Sequence, residues 1–287
     1  MNRQDDLIYD VGANNGDDIE YYLHKGFRVL AIEADPTLME PLQARFAGPI
    51  ADGRVTLLNV ALAPERTTAP FWICEEHSLW SSFDREIASR DGCRTHAVEL
   101  QCWPLRDMFA RFGIPHYLKL SLHGQEHFCL ADLSPETAPA LLSLELPRDK
   151  HEAQAILTRL VALGYRGFKV IDQTNYLQVR IATPTLRIKI RRRLKRAPRL
   201  YKAYMSVKLG LVRPFRSRGN ATAGDSSFPV GSSGPFGRDT DGPWHPPDEA
   251  LRKWEMFISH LPSNDEEQLS IWHDLHASLH GTVGQRD

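Results

Sequence analysis

Near the N-terminus, two carboxylates, two glycines and an asparagine are spaced so that they could act together. Asp10 precedes Gly12, Asn14 and Gly16 in the stretch Leu7-Ile-Tyr-Asp-Val-Gly-Ala-Asn-Asn-Gly-Asp-Asp18, and Glu33 ends the next apolar run, Arg28-Val-Leu-Ala-Ile-Glu33. The glycines let backbone approach a ligand closely. A carboxylate in the position of Glu33 can accept both hydroxyls of a ribose. Acids beside such a turn repel a pyrophosphate and favour a cationic group. The spacing Asp-x-Gly-x-x-x-Gly also differs from the G-x-G-x-x-G of dinucleotide-binding turns. A second candidate set lies in His116-Tyr-Leu-Lys-Leu-Ser-Leu-His-Gly124, where Ser121 and His123 end an apolar run. A histidine there could serve as a general base near neutral pH.

These residues need elements to hold them. Leu7 to Val11 reads as a short buried strand, and Asp17 and Asp18 open a helix at its positive end. Strand, glycine turn and helix together build the crevice of a doubly wound α/β fold. The helix stops at Gly26, a strand covers 28–33, and Pro36 begins a helix to about Phe46. Gly48, Pro49 and Gly53 predict a loop, and Val55 to Leu62 a third strand that carries Asn59. Residues 69–102 read as an insertion of two antiparallel strands, Pro70 to Cys74 and Thr95 to Trp103, around Ser78-Leu-Trp-Ser-Ser-Phe-Asp84. His77, Ser81 and Ser82 either line a pocket or cap a helix. Further along, helices are expected at 104–112, 125–133 and 149–163. Strands are expected at 116–124 and 139–146, with Glu145 at the end of the latter, and 165–172 and 176–182 form a hairpin around Gln173-Thr-Asn175.

Asp10-Val-Gly-Ala-Asn-Asn-Gly16 with Glu33-Ala-Asp-Pro36 resembles motifs I and II of class I S-adenosylmethionine-dependent methyltransferases, more narrowly the FkbM-type family. The resemblance implies a Rossmann-like, doubly wound, seven-stranded sheet with a helical C-terminal extension. It also implies S-adenosylmethionine as cofactor, held by Asp10, Gly12, Asn14, Gly16 and Glu33. Asn59 stands where such enzymes often contact adenine, although a polar residue facing out of the strand fits equally. The implied reaction is O-methylation of a hydroxyl on a sugar or other small metabolite. Family members typically read Lys-hydrophobic-Asp-hydrophobic-Glu-Gly where this chain has Lys119-Leu-Ser121-Leu-His123-Gly124. Both expected acids are replaced. The reading is therefore His123 as base with Ser121 as polar support, and no metal. The alternative is a degenerate, non-catalytic binding module that keeps the crevice.

The net charge of −1 hides an asymmetry: Arg180 to Arg218 holds 14 Lys or Arg and no acid. Apolar residues from Leu186 to Val212 recur at helical spacing, so a basic amphipathic helix is expected at 183–218. It could lie on an anionic membrane through 186–216, grip phosphates, or pack on the acidic body of its own chain. No aromatic platform interleaves the bases, so nucleic acid is not the expected partner. A Gly/Ser/Pro-rich loop or lid follows at 219–247, where Gly231-Ser-Ser-Gly-Pro-Phe-Gly237 and Gly242-Pro-Trp244 also resemble the C-terminal part of some FkbM-type proteins. Ser232 and Ser233 are then candidate substrate contacts. Helices are expected at 248–261 and 264–280. The first domain is placed at 1–182. Four widely spaced cysteines without C-x-x-C argue against a zinc site or disulfide framework and predict reduced thiols. With neither a long apolar run nor a signal-like N-terminus, a cytoplasmic protein is expected, with peripheral contact at the inner membrane face.

Overall fold

The computed structural model describes residues 2–122, 124–173, 175–179, 221–223, 226–228, 232–259 and 273–281. His123 and the expected basic helix at 183–218 lie outside the described residues. The chain opens with β1 (Arg3–Val11), α1 (Asp17–His24), β2 (Arg28–Ile32), α2 (Met39–Arg45), α3 (Ala47–Ala51) and β3 (Val55–Leu58). A small three-stranded sheet follows, made of β4 (Ala61–Leu62), β5 (Thr67–Cys74) and β6 (Thr95–Trp103), with the short α4 (Arg85–Ala88) between the last two. Next come α5 (Leu105–Phe112), β7 (Ile114–Leu120), α6 (Glu126–Asp132), β8 (Leu141–Glu145), α7 (Lys150–Ala162), β9 (Gly167–Asp172) and β10 (Leu177–Gln178). The remainder holds the paired β11 (Ala221–Ala223) and β12 (Ser226–Phe228), then α8 (Pro247–Ile258) and β13 (His273–Ser278).

The main sheet has eight strands in the order β10-β9-β13-β8-β7-β1-β2-β3. Strands β3, β2, β1, β7 and β8 pair in parallel, whereas β13 runs antiparallel between β8 and β9. Sheet building proceeds outward from β1 on one side and from β7 on the other. Their carboxyl ends therefore flank the switch point where such sheets bind ligands. The sheet has one strand more than expected because β13, from a segment read as helix, inserts between β8 and β9.

β1 becomes a central strand because Leu7 to Val11 are all buried, with neighbours on both sides. One face of the sheet presents Tyr9, Val11, Leu118, Leu142, Phe168 and Leu275 to the core under α5 to α8, which includes the fully buried Trp254. Each large apolar side chain removed from water there contributes about 1.5–3 kcal/mol. The opposite face is mixed. Ile8 and Tyr117 pack with Tyr22 and Phe236, and the Phe236 ring stacks on Tyr117 at 4.3 Å. Above them runs a polar row, Asp10–Lys119–Ser143–His276–Lys169, one residue from each of five adjacent strands.

Residues 232–245 strap across this second face. The Ser233 and Gly234 N–H groups donate to the Asp18 carboxylate at 2.8 and 3.1 Å, Lys169 Nζ donates to Thr240 Oγ1, and His245 bridges Phe168. Gly234 has φ +75°, and a Cβ there would lie 2.4 Å from the Tyr176 ring. The Ser-Ser-Gly-Pro-Phe-Gly pattern thus has a packing role.

Three expectations are corrected. The segment read as a helix at 264–280 contributes β13, and all six of its residues are buried. Strands pairing on both sides take up its backbone groups, and burial pushes the His276 pKa down to about 3, so its imidazole is neutral. Residues 47–51, read as loop, close a short helical turn after α2. Cys74 and Cys93, read as reduced thiols, are joined in a disulfide. They are 19 residues apart in sequence, but β5 and β6 pair antiparallel with Cys74 opposite Thr95, which brings the two sulfurs to the same end of the hairpin.

Candidate cofactor and active site

A cleft open to solvent lies at the carboxyl ends of β1 and β2. Gly12, Asn14 and Glu33 form one wall, and Ser121, Leu122 and Gln125 enter from the end of β7. Val60, Leu62, Phe71 and Phe83 supply an apolar side, and Ser78, Ser81 and Ser82 enter from the β5–β6 hairpin.

Gly12 turns the chain with φ +72°, and a Cβ on it would sit 2.3 Å from the Ser121 carbonyl oxygen. Only glycine lets β1 and β7 converge this closely. Asn14 adopts the left-handed region at φ 48°; its N–H donates to Glu33 Oε2 at 2.6 Å and its side-chain amide to Ser78 Oγ at 3.1 Å. The Asp35 N–H donates to the other Glu33 oxygen at 2.8 Å. Burial raises the Glu33 pKa, and these two N–H groups work against that rise. Each Glu33 oxygen keeps a lone pair. The carboxylate is thereby fixed with its remaining acceptor capacity for ligand hydroxyls.

Three of the expected cofactor residues do not line the cleft. Gly16, with φ +80°, caps α1, and a Cβ there would strike the Phe46 ring at 2.6 Å, so its absence of side chain serves helix packing. The Asn59 amide donates to the Glu33 and Ala34 carbonyls at 2.9 and 3.0 Å and so steadies the turn that carries Glu33. Asp10 points to the opposite side of β1. It is fully buried, accepts from Lys119 Nζ at 2.8 Å, and leaves its other oxygen without a hydrogen-bond partner. Lys119 also donates to the Gly12 carbonyl at 3.0 Å and lies 3.8 Å from Asp18. Burial opposes the Lys119 charge, but Asp10 and Asp18 outweigh it and hold the pKa above its ordinary value. Sequence reading missed the ion pair that ties β1 to β7. The retained Lys119 was its only signal.

Of the substrate candidates, Ser121 reaches the cleft, as do Ser81 and Ser82. Ser81 Oγ accepts from the Cys74 N–H at 3.1 Å and contacts Asp35 at 3.3 Å. Ser232 pairs with the Tyr176 hydroxyl at 2.9 Å and is buried; no described residue of 232–245 lines the cleft, so the strap covers a sheet face and not the pocket. Among the described residues, Cys74, Glu76 and Cys93 are the one group with metal-ligand spacing, and the disulfide occupies both sulfurs. No described helix is long and apolar enough to cross a membrane.

The carboxyl edge of the sheet beyond the cleft is acidic. Burial, with Asp10 adding, pushes Asp18 up to about 6 against the pull of Lys119. Burial and Glu126 push Glu145 up to about 7, and burial and Glu145 hold Asp274 well above the usual carboxylate range. A raised carboxyl pKa means that the folded chain keeps a proton the unfolded chain has lost. The stability from Glu145 is therefore complete below its ordinary 4.5 and lost as pH rises through about 7. Relative to wild type, Glu145→Gln is expected to be about 2 kcal/mol more favourable at pH 8 than at pH 4.5. Urea unfolding at the two pH values reads this difference, and an identical effect at both would contradict it.

A parallel sheet reversing at β1, a glycine turn beneath a fixed carboxylate and an apolar slot form the ligand crevice of a doubly wound α/β fold. The model of the FkbM methyltransferase domain matches residues 10–166, and the chain belongs to that family. Its cofactor is S-adenosylmethionine, and the lining fits: Glu33 for ribose hydroxyls and the apolar wall for a flat base. A probable ribosomal RNA small subunit methyltransferase A of Methanospirillum hungatei is 44% identical over 53 residues, 18% of this chain and 21% of that protein. The chain thus matches about a fifth of that relative's length. Among solved structures, a precorrin-6y C5,15-methyltransferase of Geobacter metallireducens is 12% identical with a TM-score of 0.33, over 59% of this chain and 69% of that one. An S-adenosylmethionine-dependent methyltransferase of Thiobacillus denitrificans, in complex with S-adenosylhomocysteine, is 10% identical with a TM-score of 0.32, over 96% and 86%. At these distances the likeness says nothing about substrate.

Proposed function

We propose that this methyltransferase methylates a hydroxyl on a sugar or another small metabolite. The observation that carries the reading is that Ser121, the first residue beyond β7, meets Gly12 and Glu33 in one cleft. Ser121 and Leu122 then stand where an acceptor would meet the cofactor. The cofactor supplies an electrophilic methyl on sulfur. The protein's part is to hold the acceptor oxygen in line with that methyl, exclude water and take the hydroxyl proton. His123 is assigned as the base, with Ser121 hydrogen bonding to the acceptor; Asp10, Gly16 and Asn59 act on the cofactor through the backbone they position. His123→Ala is expected to lower methyl transfer by about a hundredfold while S-adenosylhomocysteine affinity stays unchanged. Unchanged turnover would remove His123 from the chemistry.

Loss of both family acids at 121 and 123 motivates a second reading, a module that binds cofactor without transferring methyl. Cofactor binding without turnover on any hydroxyl acceptor would favour it. Nucleic acid is not the proposed acceptor; methylation of ribosomal RNA by the purified chain would overturn that. A cytoplasmic location with peripheral membrane contact through 186–216 belongs to the same proposal.

A further inference from the structure

The β5–β6 hairpin is a flap on the cofactor cleft, and its two ends are covalently joined. Residues 75–92 leave β5 at Cys74 and rejoin the sheet beyond Cys93, with 6.0 Å between the two Cα atoms. This excursion supplies Ser78, Ser81, Ser82 and Phe83 to the cleft. It is also tied to the cofactor turns. Asn14 donates to Ser78, and Ser81 links the Cys74 N–H to Asp35. The inner half folds back on β5 through paired Trp72 and Ser82 backbone bonds of 2.8 and 2.9 Å, and Phe83 packs edge-on against Phe71. The outer half is held by side chains, with Arg85 over the Trp72 ring, Arg90 over the Trp80 ring and Ala88 buried. It carries the short α4 and a 3₁₀ turn with Asp91 at φ 55°, and Asp91 and Gly92 are exposed. Beyond the disulfide, the flap's base is linked to β6 by one backbone bond, from the Glu75 N–H to the Arg94 carbonyl at 3.0 Å, by the Arg94 N–H donating to Glu76 at 3.0 Å, and by solvent-facing pairs of Arg94 with Glu75 and Glu76. Such pairs contribute little.

We propose that Cys74–Cys93 is a thiol–disulfide exchange site that sets how tightly the flap closes on the cofactor. The inference rests on the cofactor reading of the cleft. Cys74 is buried, whereas Cys93 is partly exposed, so an incoming thiolate reaches the Cys93 sulfur. Attack there forms a mixed disulfide between reagent and Cys93, breaks the Cys74–Cys93 bond, and releases Cys74 as a thiolate that takes a proton from water. A second reagent thiolate attacks the reagent sulfur of the mixed disulfide. It frees Cys93 and leaves the reagent oxidised, so two electrons pass from reagent to protein. The partner is a small thiol or a dithiol reductase. Opening the bond returns conformational freedom to the flap, which cofactor binding must then remove.

The test compares the full chain with and without dithiothreitol by three readouts. Alkylation after denaturation should label two cysteines before reduction, the buried Cys102 and Cys129, and four after it. Hydrogen exchange over 75–92 should rise on reduction while Leu7–Val11 stays protected. Calorimetric affinity for S-adenosylhomocysteine should fall roughly tenfold, and Cys74→Ser/Cys93→Ser should show the weaker affinity with or without reductant. Four labelled cysteines before reduction, or unchanged exchange, would overturn the proposal. So would an affinity that does not move. Absence of S-adenosylhomocysteine binding in both states would instead overturn the cofactor reading on which the proposal rests, while labelling and exchange would still report on the flap.

Discussion

Lys119→Met is expected to lower stability by about 3–5 kcal/mol, the usual cost of removing one partner from a buried ion pair. Lys119 is the cation within reach of both Asp10 and Asp18, and all three are buried. Methionine fills much the same space but leaves two carboxylates facing each other, one of which already has an oxygen without a hydrogen-bond partner. Protonation is their only relief. The deficit should therefore shrink as pH falls toward 4, and the double variant Asp10→Asn/Lys119→Met should recover most of it. Urea unfolding at pH 7.5 and 4.5 measures all of this. A loss below about 1 kcal/mol at neutral pH would mean that the pair does not hold β1 to β7.

Gly12→Ala should abolish measurable cofactor binding and cost about 2–4 kcal/mol of stability. The methyl cannot be accommodated by a rotamer change, because its contact at 2.3 Å is the backbone oxygen of Ser121. Either the φ of +72° relaxes or β1 and β7 separate, and both change the floor of the cleft. Gly53→Ala is the natural control. It has a similar positive φ of +71°, but nothing lies within 4 Å of its missing Cβ. It should lose only the backbone term, about 1 kcal/mol, and bind cofactor normally. Equal behaviour of the two variants would show that the convergence of the strands is unimportant.

The cofactor side of the site was legible because its signals are local. Gly12, Asn14 and Glu33 sit in turns whose geometry is set within a few residues, and the structure brings them together. Asp10 shows the limit of that reasoning. It and Glu33 both end apolar strands, yet Glu33 edges the cleft while Asp10 faces the polar row behind it. Which way a strand-end side chain points depends on how the strand is placed in the sheet, and composition does not carry that. β13 was illegible for a related reason. Asp274-Leu-His-Ala-Ser278 does alternate polar and apolar residues, but the run is short, holds only one large apolar side chain, and has its pairing partners, β8 and β9, more than a hundred residues upstream. The disulfide escaped notice because it follows from hairpin register, not from a spacing motif. Residues 232–245 read as part of a loop or lid; that they strap a sheet face instead of the pocket follows from their anchor, the Asp18 carboxylate, which cannot be inferred without the fold.

The central claim is that Glu33 and the Gly12 turn hold S-adenosylmethionine. The direct measurement is calorimetric titration of S-adenosylmethionine and S-adenosylhomocysteine into the wild-type chain and Glu33→Ala. The account predicts micromolar binding of both ligands to wild type, weakened at least tenfold, or about 1.4 kcal/mol, by Glu33→Ala. Equal binding by the two proteins would displace the ribose contact from Glu33. No binding by a folded wild-type chain would contradict the assignment of the cleft as a cofactor site.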